Sequence, residues 1–112
     1  MTRATNPSTD EIMASLPGRF RPKMAGKMQV MVQFELTGTG GGDWTLVISN
    51  GGCSASPGIA KQPDATVTMS AADFVGINSG AVYAPDIFWS GQIDIQGDVE
   101  VVIALAPIFG WQ

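Results

Sequence analysis

The chain of 112 residues is 45% hydrophobic and only 14% charged, and it has a formal net charge of −4, one cysteine and no histidine. Its negative charge argues against nucleic-acid binding, one cysteine excludes an internal disulfide, and the lack of histidine removes the commonest general base and metal ligand. Because a typical domain is about 25% charged, this chain has either a large core or an apolar surface for a ligand or partner.

No apolar run reaches the ~20 residues of a membrane span, and residues 1–7 contain no signal-peptide core. We therefore expect a cytoplasmic protein with a flexible tail over residues 1–8 and a single domain over residues 9–112.

Five basic and two acidic side chains fall within residues 1–27, whereas the rest of the chain has one lysine and eight acids. The basic segment could contact anionic lipid head groups, or it could be an ordinary solvated flank.

The first predicted element is a helix that begins at a capping box formed by Ser8 and Glu11 and ends at residues 17–18, Pro-Gly. From residue 29 the hydrophobic period changes to two, which predicts strands over residues 29–36 and 44–49. Asn50-Gly51 is a hairpin signal and leads into a short third strand.

The second half of the chain alternates between strands and helices. Residues 65–69 form the predicted fourth strand, and Ser70 caps a helix that Gly80 closes. Pro85 opens a short helix, and residues 92–96 alternate as a fifth strand. The last apolar segment, residues 97–109, fits either a helix capped by Asp98 or a strand rich in Val and Ile. This order predicts an α+β fold with a mainly antiparallel five-stranded sheet and helices packed on one face.

Five phrases, in the same order, resemble the sterol carrier protein type 2 family. They are residues 32–38 (VQFELTG), 44–52 (WTLVISNGG), 63–74 (PDATVTMSAADF), 77–80 (INSG) and 88–98 (FWSGQIDIQGD). The last phrase is similar to the family element F-x-x-G-K-[IL]-x-[IL]-x-G-[DN], although Gln92 replaces its lysine. The resemblance implies an apolar tunnel between sheet and helices for fatty acids, acyl-CoA esters, sterol-like or isoprenoid molecules. It also implies a carrier that does no chemistry and needs no cofactor or metal.

The expected ligand-binding residues are the large apolar side chains of the strands and of the helices that cover them. They are Phe34, Leu36, Phe74, Ile77, Phe88, Trp89, Ile93, Ile95, Val102, Leu105 and Phe109. The alternative is that these side chains fill the space among themselves and leave no cavity.

Two other functions stay open on the sequence. Asp86, Asp94 or Asp98 beside Tyr83 could serve a small isomerase acting on an apolar substrate, although helix-start positions explain Asp86 and Asp98 better, and the polar face of a strand explains Asp94 better. The apolar last segment and Trp111 could instead dock the chain on a partner enzyme that receives a lipid, and a homodimer could bury the same surface. Transient contact with a membrane surface is compatible with lipid carriage.

Two further features have ordinary explanations. The glycine-rich loop at residues 38–42 joins two strands and lacks the Gly-Lys-Ser/Thr of a phosphate loop. Cys53 lies in an alternating strand and is expected to be a small buried hydrophobe.

Overall fold

The computed structural model describes residues 8–111, so residues 1–7 of the predicted tail lie outside the described residues. Ser8 is the N-cap of the first helix, and its side chain accepts from the Glu11 N–H while Glu11 accepts from the Ser8 N–H. The elements in chain order are α1 Thr9–Arg19, α2 Pro22–Ala25, β1 Val30–Thr37, β2 Gly42–Ser49, β3 Gly52–Pro57, β4 Ala65–Ser70, α3 Ala71–Ser79, α4 Ala84–Trp89, β5 Asp94–Gly97 and α5 Val99–Phe109.

The five strands form one sheet in the order β3-β2-β1-β4-β5. The strands β1, β2 and β3 form an antiparallel meander, β4 pairs with β1 in parallel, and β5 pairs with β4 antiparallel. The predicted α+β class with a mainly antiparallel sheet is confirmed, and the single parallel pair lies at its centre. Asn50 and Gly51 both have positive φ at the β2–β3 turn, as the hairpin signal predicts.

The helices and the apolar face of the sheet share one core. Val32, Phe34 and Leu36 of β1 lie in it with Leu46 and Ile48 of β2, and they are all buried. The helices add Ile12, Met13, Leu16, Phe74, Leu105, Ile108 and Phe109 to the same cluster. Among the helices of residues 8–111, none combines the length and apolarity that crossing a bilayer requires.

The opposite face of the sheet is crossed by the connection between β3 and β4. Gln33 alternates onto this face, where the sequence pattern predicts an exposed side chain, yet it is only 2% exposed. Its amide donates to the carbonyls of Trp44 and Gly58, both at 3.2 Å, and its carbonyl accepts from the Ala60 N–H. Gln33 therefore ties the crossing segment onto the sheet, and these bonds satisfy its buried polar atoms.

Two predicted boundaries are wrong. The helix α1 does not end at residues 17–18 but continues to Arg19 with Pro17 inside it. Proline removes only one backbone donor, and the last turn is held because Leu16 is fully buried and Arg19 bonds to Asn78 and Phe109. The strand β5 begins at Asp94, so Ile93 lies just before it and not within it.

Candidate functional site

A cavity of about 310 Å³ lies between the sheet and the helices α3, α4 and α5. This volume is at the lower end of the range of ligand sites in proteins, roughly 300–1,000 Å³. The lining side chains are all apolar or aromatic: Phe34, Val67, Met69, Phe74, Ile77, Ala84, Pro85, Phe88, Trp89, Ile93, Ile95, Val102, Ile103, Leu105, Ala106 and Trp111. The cavity can therefore surround an apolar molecule, but it presents no side-chain acid or base to it.

Nine of the eleven residues expected from the sequence line this cavity. The other two, Leu36 and Phe109, are buried in the core beside it. Leu36 is the register partner of Met69, and the Met69 side chain lines the cavity. Phe109 packs against the rings of Phe20 and Trp111, and Trp111 provides the cavity surface on that side.

Seven lining residues were not expected: Val67, Met69, Ala84, Pro85, Ile103, Ala106 and Trp111. Val67 and Met69 alternate along β4 on the same face as Phe34 of β1, so period-two patterning contained that signal. Trp111 follows the last helix, and nothing in its sequence context indicates that the chain turns back over the cavity.

The helix α5 forms much of one wall. The Asp98 carboxylate accepts from the Val101 N–H at 3.3 Å and caps the helix, and Gly110 ends it in the left-handed conformation. This N-cap settles the ambiguous last segment as a helix.

Two arginines of the basic N-terminal segment bind the other end of α5. The guanidinium of Arg21 donates to the Pro107 carbonyl at 3.2 Å, and that of Arg19 donates to the Phe109 carbonyl at 3.4 Å. Positive charge at a helix C-terminus is stabilising because it offsets the helix dipole. Arg19 and Arg21 therefore have a structural role, because they stabilise the C-terminal end of α5.

Trp111 lines the cavity next to Phe74. Its indole N–H donates to the Asn78 side-chain oxygen at 2.8 Å, and its ring contacts Phe74 and Phe109. The same Asn78 oxygen accepts from Arg19 at 3.0 Å, and the Asn78 amide donates to the Phe74 carbonyl. Asn78 thus joins α1, α3 and the segment after α5 behind the cavity wall.

The outer end of the cavity has exposed apolar side chains. Trp89 is 83% exposed and Ile103 is 62% exposed, although both line the cavity. The Phe88 and Trp89 rings meet edge to face at 5.4 Å between centroids. These residues mark the mouth, which lies between α4 and α5.

The acidic residues considered for catalysis do not line the cavity. Asp98 caps α5, while Asp94 is exposed and accepts from the Gln96 side chain at 3.4 Å. Asp86 lies in the exposed first turn of α4, and Tyr83 is exposed just before it. Within residues 8–111, no group of three His, Cys, Asp or Glu residues is placed to hold a metal ion.

Cys53 lies on β3, opposite Ile48 of β2, and packs against the core while remaining partly exposed. Burial raises the pKa of the Cys53 thiol to about 11. The side chain is therefore a protonated thiol at neutral pH, which does not favour a nucleophilic role.

The sequence and the fold match proteins of one family. The family model of the SCP-2 sterol transfer family matches residues 13–110. Hydroxysteroid dehydrogenase-like protein 2 of Bos taurus is 36% identical over 81 residues, which are 71% of this chain and 19% of that protein. The chain thus spans about a fifth of the length of this curated relative.

Solved structures show the same fold at lower identity. Palmitated SCP2L2 from Aedes aegypti has a TM-score of 0.75 and 22% identity, with 90% of each chain covered. The stereoselective inverting sec-alkylsulfatase Pisa1 from Pseudomonas sp. has a TM-score of 0.76 and 19% identity, over 94% of this chain and 16% of that enzyme. The resemblance seen in the sequence is confirmed by the family model and the fold together, and the chain belongs to the SCP-2 sterol transfer family.

Proposed function

We propose that this chain binds a lipid non-covalently in the cavity under α3, α4 and α5 and carries it without chemical change. The observation that carries the proposal is the cavity itself, about 310 Å³ of space whose lining side chains are all apolar or aromatic. The structurally similar SCP2L2 of Aedes aegypti is a palmitated protein, which supports an acyl chain or a similar molecule as the ligand.

Burial of apolar surface supplies the binding energy, at roughly 25 cal/mol per Å² removed from water. Such a site discriminates weakly by length, because one methylene is worth only about 1 kcal/mol. Fatty acyl, sterol-like and isoprenoid chains all satisfy the lining, so we propose a broad ligand class. The elements around the cavity belong to one sheet and its helices, which supports a single domain over residues 9–112.

The positions of the acidic residues support carriage in preference to catalysis. A general acid or base must be within hydrogen-bond reach of the reacting group. The Asp98 carboxylate caps α5, and Asp94 lies on the sheet face opposite the lining residue Ile95. We propose that the protein is not an enzyme and acts in the cytoplasm.

Native mass spectrometry of the purified protein, followed by solvent extraction, tests the proposal. We expect a co-purified lipid at near one molecule per chain. We also expect a long-chain ligand at 100 times its Kd to stabilise the native state by about 2.7 kcal/mol, because it binds the folded state alone. A bare mass with no thermal shift across a lipid panel would overturn the proposal.

A matched pair of substitutions on α5 tests whether the lipid binds in this cavity. Ala106 lines the cavity, whereas Ala104, two residues earlier on the same helix, is not among the lining residues. Ala106→Phe should fill the cavity and weaken lipid binding at least about tenfold, while Ala104→Phe should leave the affinity nearly unchanged. Equal loss in both variants, measured by titration of a fluorescent lipid, would place the ligand elsewhere.

A second candidate function is presentation of the lipid to a partner enzyme. The exposure of Trp89 and Ile103 at the mouth favours it, because large apolar side chains in such positions often mark interaction sites. It predicts a complex, with a partner or between two copies, in which these side chains are covered. Sedimentation equilibrium tests self-association, and a monomer at all concentrations would exclude the homodimer.

A further inference from the structure

The lining of the cavity restricts the head group of the ligand more than its chain. Of the lining side chains only the two tryptophans have a hydrogen-bond donor. The Trp111 N–H is already bonded to Asn78, and Trp89 lies at the exposed mouth. A charged head group that entered the cavity would therefore lose its hydration without gaining a partner, which is costly.

The basic residues of the described chain do not line the cavity. Arg19 and Arg21 donate to carbonyls at the C-terminal end of α5, and Arg19 also donates to Asn78 behind the Trp111 ring. From residue 62 to residue 112, a stretch that contains every lining residue except Phe34, the sequence has six acids and no lysine or arginine.

The charged side chains of α4 and α5, the helices that carry the exposed lining residues Trp89 and Ile103, are carboxylates. Asp86 follows the lining residue Pro85 in α4, and Glu100 lies three residues before Ile103 in α5, where side chains are neighbours on a helix surface. At the start of α5 the Asp98 carboxylate already accepts from the Val101 N–H and Glu100 lies in the first turn, so two negative charges already occupy the positive end of the helix. An anionic head group held at the mouth would meet like charges in place of a partner.

We propose that this cavity selects electrically neutral lipids, such as long-chain alcohols, isoprenoids or sterol-like molecules, over carboxylates of the same chain length. This inference rests on the proposed function. A neutral hydroxyl loses much less hydration than a carboxylate does and meets no repulsion from Asp86 and Glu100.

Calorimetric titration of the full chain with 1-dodecanol and with dodecanoate at pH 8 tests the inference, because the two ligands share a chain and differ at the head. We expect the alcohol to bind at least about tenfold more tightly than the carboxylate. Equal affinities, or tighter binding of dodecanoate, would overturn the inference and leave the proposed function standing. Failure of both ligands to bind would overturn both proposals.

Reversal of one negative charge at the mouth is a second test of the head-group preference. Glu100→Lys should strengthen dodecanoate binding. The ratio of the dissociation constants, dodecanoate over 1-dodecanol, should then fall at least about threefold. Asp43→Lys makes the same change in net charge on an exposed residue of β2, on the sheet face opposite Trp44, and should not alter the preference. An equal effect of both variants, or none from Glu100→Lys, would contradict a local role of the mouth. If Glu100→Lys does not fold, Asp86→Lys makes the same test from α4.

Discussion

Gly97 occupies a position that no other residue can adopt without strain. Its φ is +91°, and a Cβ there would lie 2.5 Å from the Asp64 carbonyl oxygen, which accepts from the Asp98 N–H at 2.9 Å. Gly97→Ala must therefore distort the junction of β4, β5 and α5. We expect a loss of at least about 1 kcal/mol in the free energy of unfolding, measured in urea.

Gly18 is the matched control for this substitution. It lies inside α1, and a Cβ there would meet nothing within 4 Å. Because glycine costs a helix about 0.5–1 kcal/mol relative to alanine, Gly18→Ala should stabilise the protein by that amount. Unchanged stability of Gly97→Ala would contradict strain at that position, and destabilisation by Gly18→Ala would contradict the open space around Gly18.

At the scale of the element, the stability of α5 depends on its N-cap. Removing an N-cap side chain typically costs about 1 kcal/mol, so Asp98→Ala should lower the free energy of unfolding by that amount. Asp98→Asn retains a capping oxygen, so its free energy of unfolding should be close to that of the parent protein. Its dissociation constant for lipid should be unchanged. Loss of an activity in Asp98→Asn without loss of fold would instead support the isomerase alternative.

Strands and caps were predictable because their signals are local. The alternation of residues 30–37, the Asn50-Gly51 turn and the Ser8 and Ser70 caps each depend on neighbours within four residues. The last segment remained ambiguous because its apolar residues fit a helix or a buried strand equally well. Only its capping contact and its packing across β4 and β5 decide the matter.

The lining residues that lie on one face of a predicted helix or strand could be predicted from the sequence. Those whose position depends on contacts with distant parts of the chain could not. Residues such as Phe74 and Ile77 could be placed on one face of a predicted helix by periodicity alone. The role of Trp111 could not, because it depends on Asn78, 33 residues earlier in the chain. Gln33 shows the same limit, since a distant crossing segment buries a side chain that alternation predicts to be exposed.

At the scale of the whole molecule, Asn78 connects parts of the chain that are far apart in sequence. Asn78→Ala removes the shared acceptor of Arg19 and Trp111 and the donor to Phe74. We expect a loss of about 1–3 kcal/mol in the free energy of unfolding, because partly buried polar groups lose a hydrogen-bond partner. Lipid affinity should fall as well, because Trp111, which bonds to Asn78, lines the cavity.

Ser79→Ala is the control, because the Ser79 hydroxyl makes only local bonds, to Gly76 and from Ala81. Urea unfolding of both variants, followed by tryptophan fluorescence, compares their free energies of unfolding. Equal stability of the two variants would mean that the connection through Asn78 contributes nothing beyond local helix structure.

The parallel pairing of β1 and β4 has a consequence for the order in which the protein folds. The meander of β1, β2 and β3 closes through short turns, whereas β4 must pass β3 and β2 before it reaches β1. Closing such a longer loop costs more chain entropy and slows folding. We therefore expect the meander to form early and the half of the molecule that contains most of the cavity, from β4 to Trp111, to assemble onto it late. A newly made chain would then acquire its place for a lipid in the last step of folding, when a ligand already present could be enclosed as the walls close.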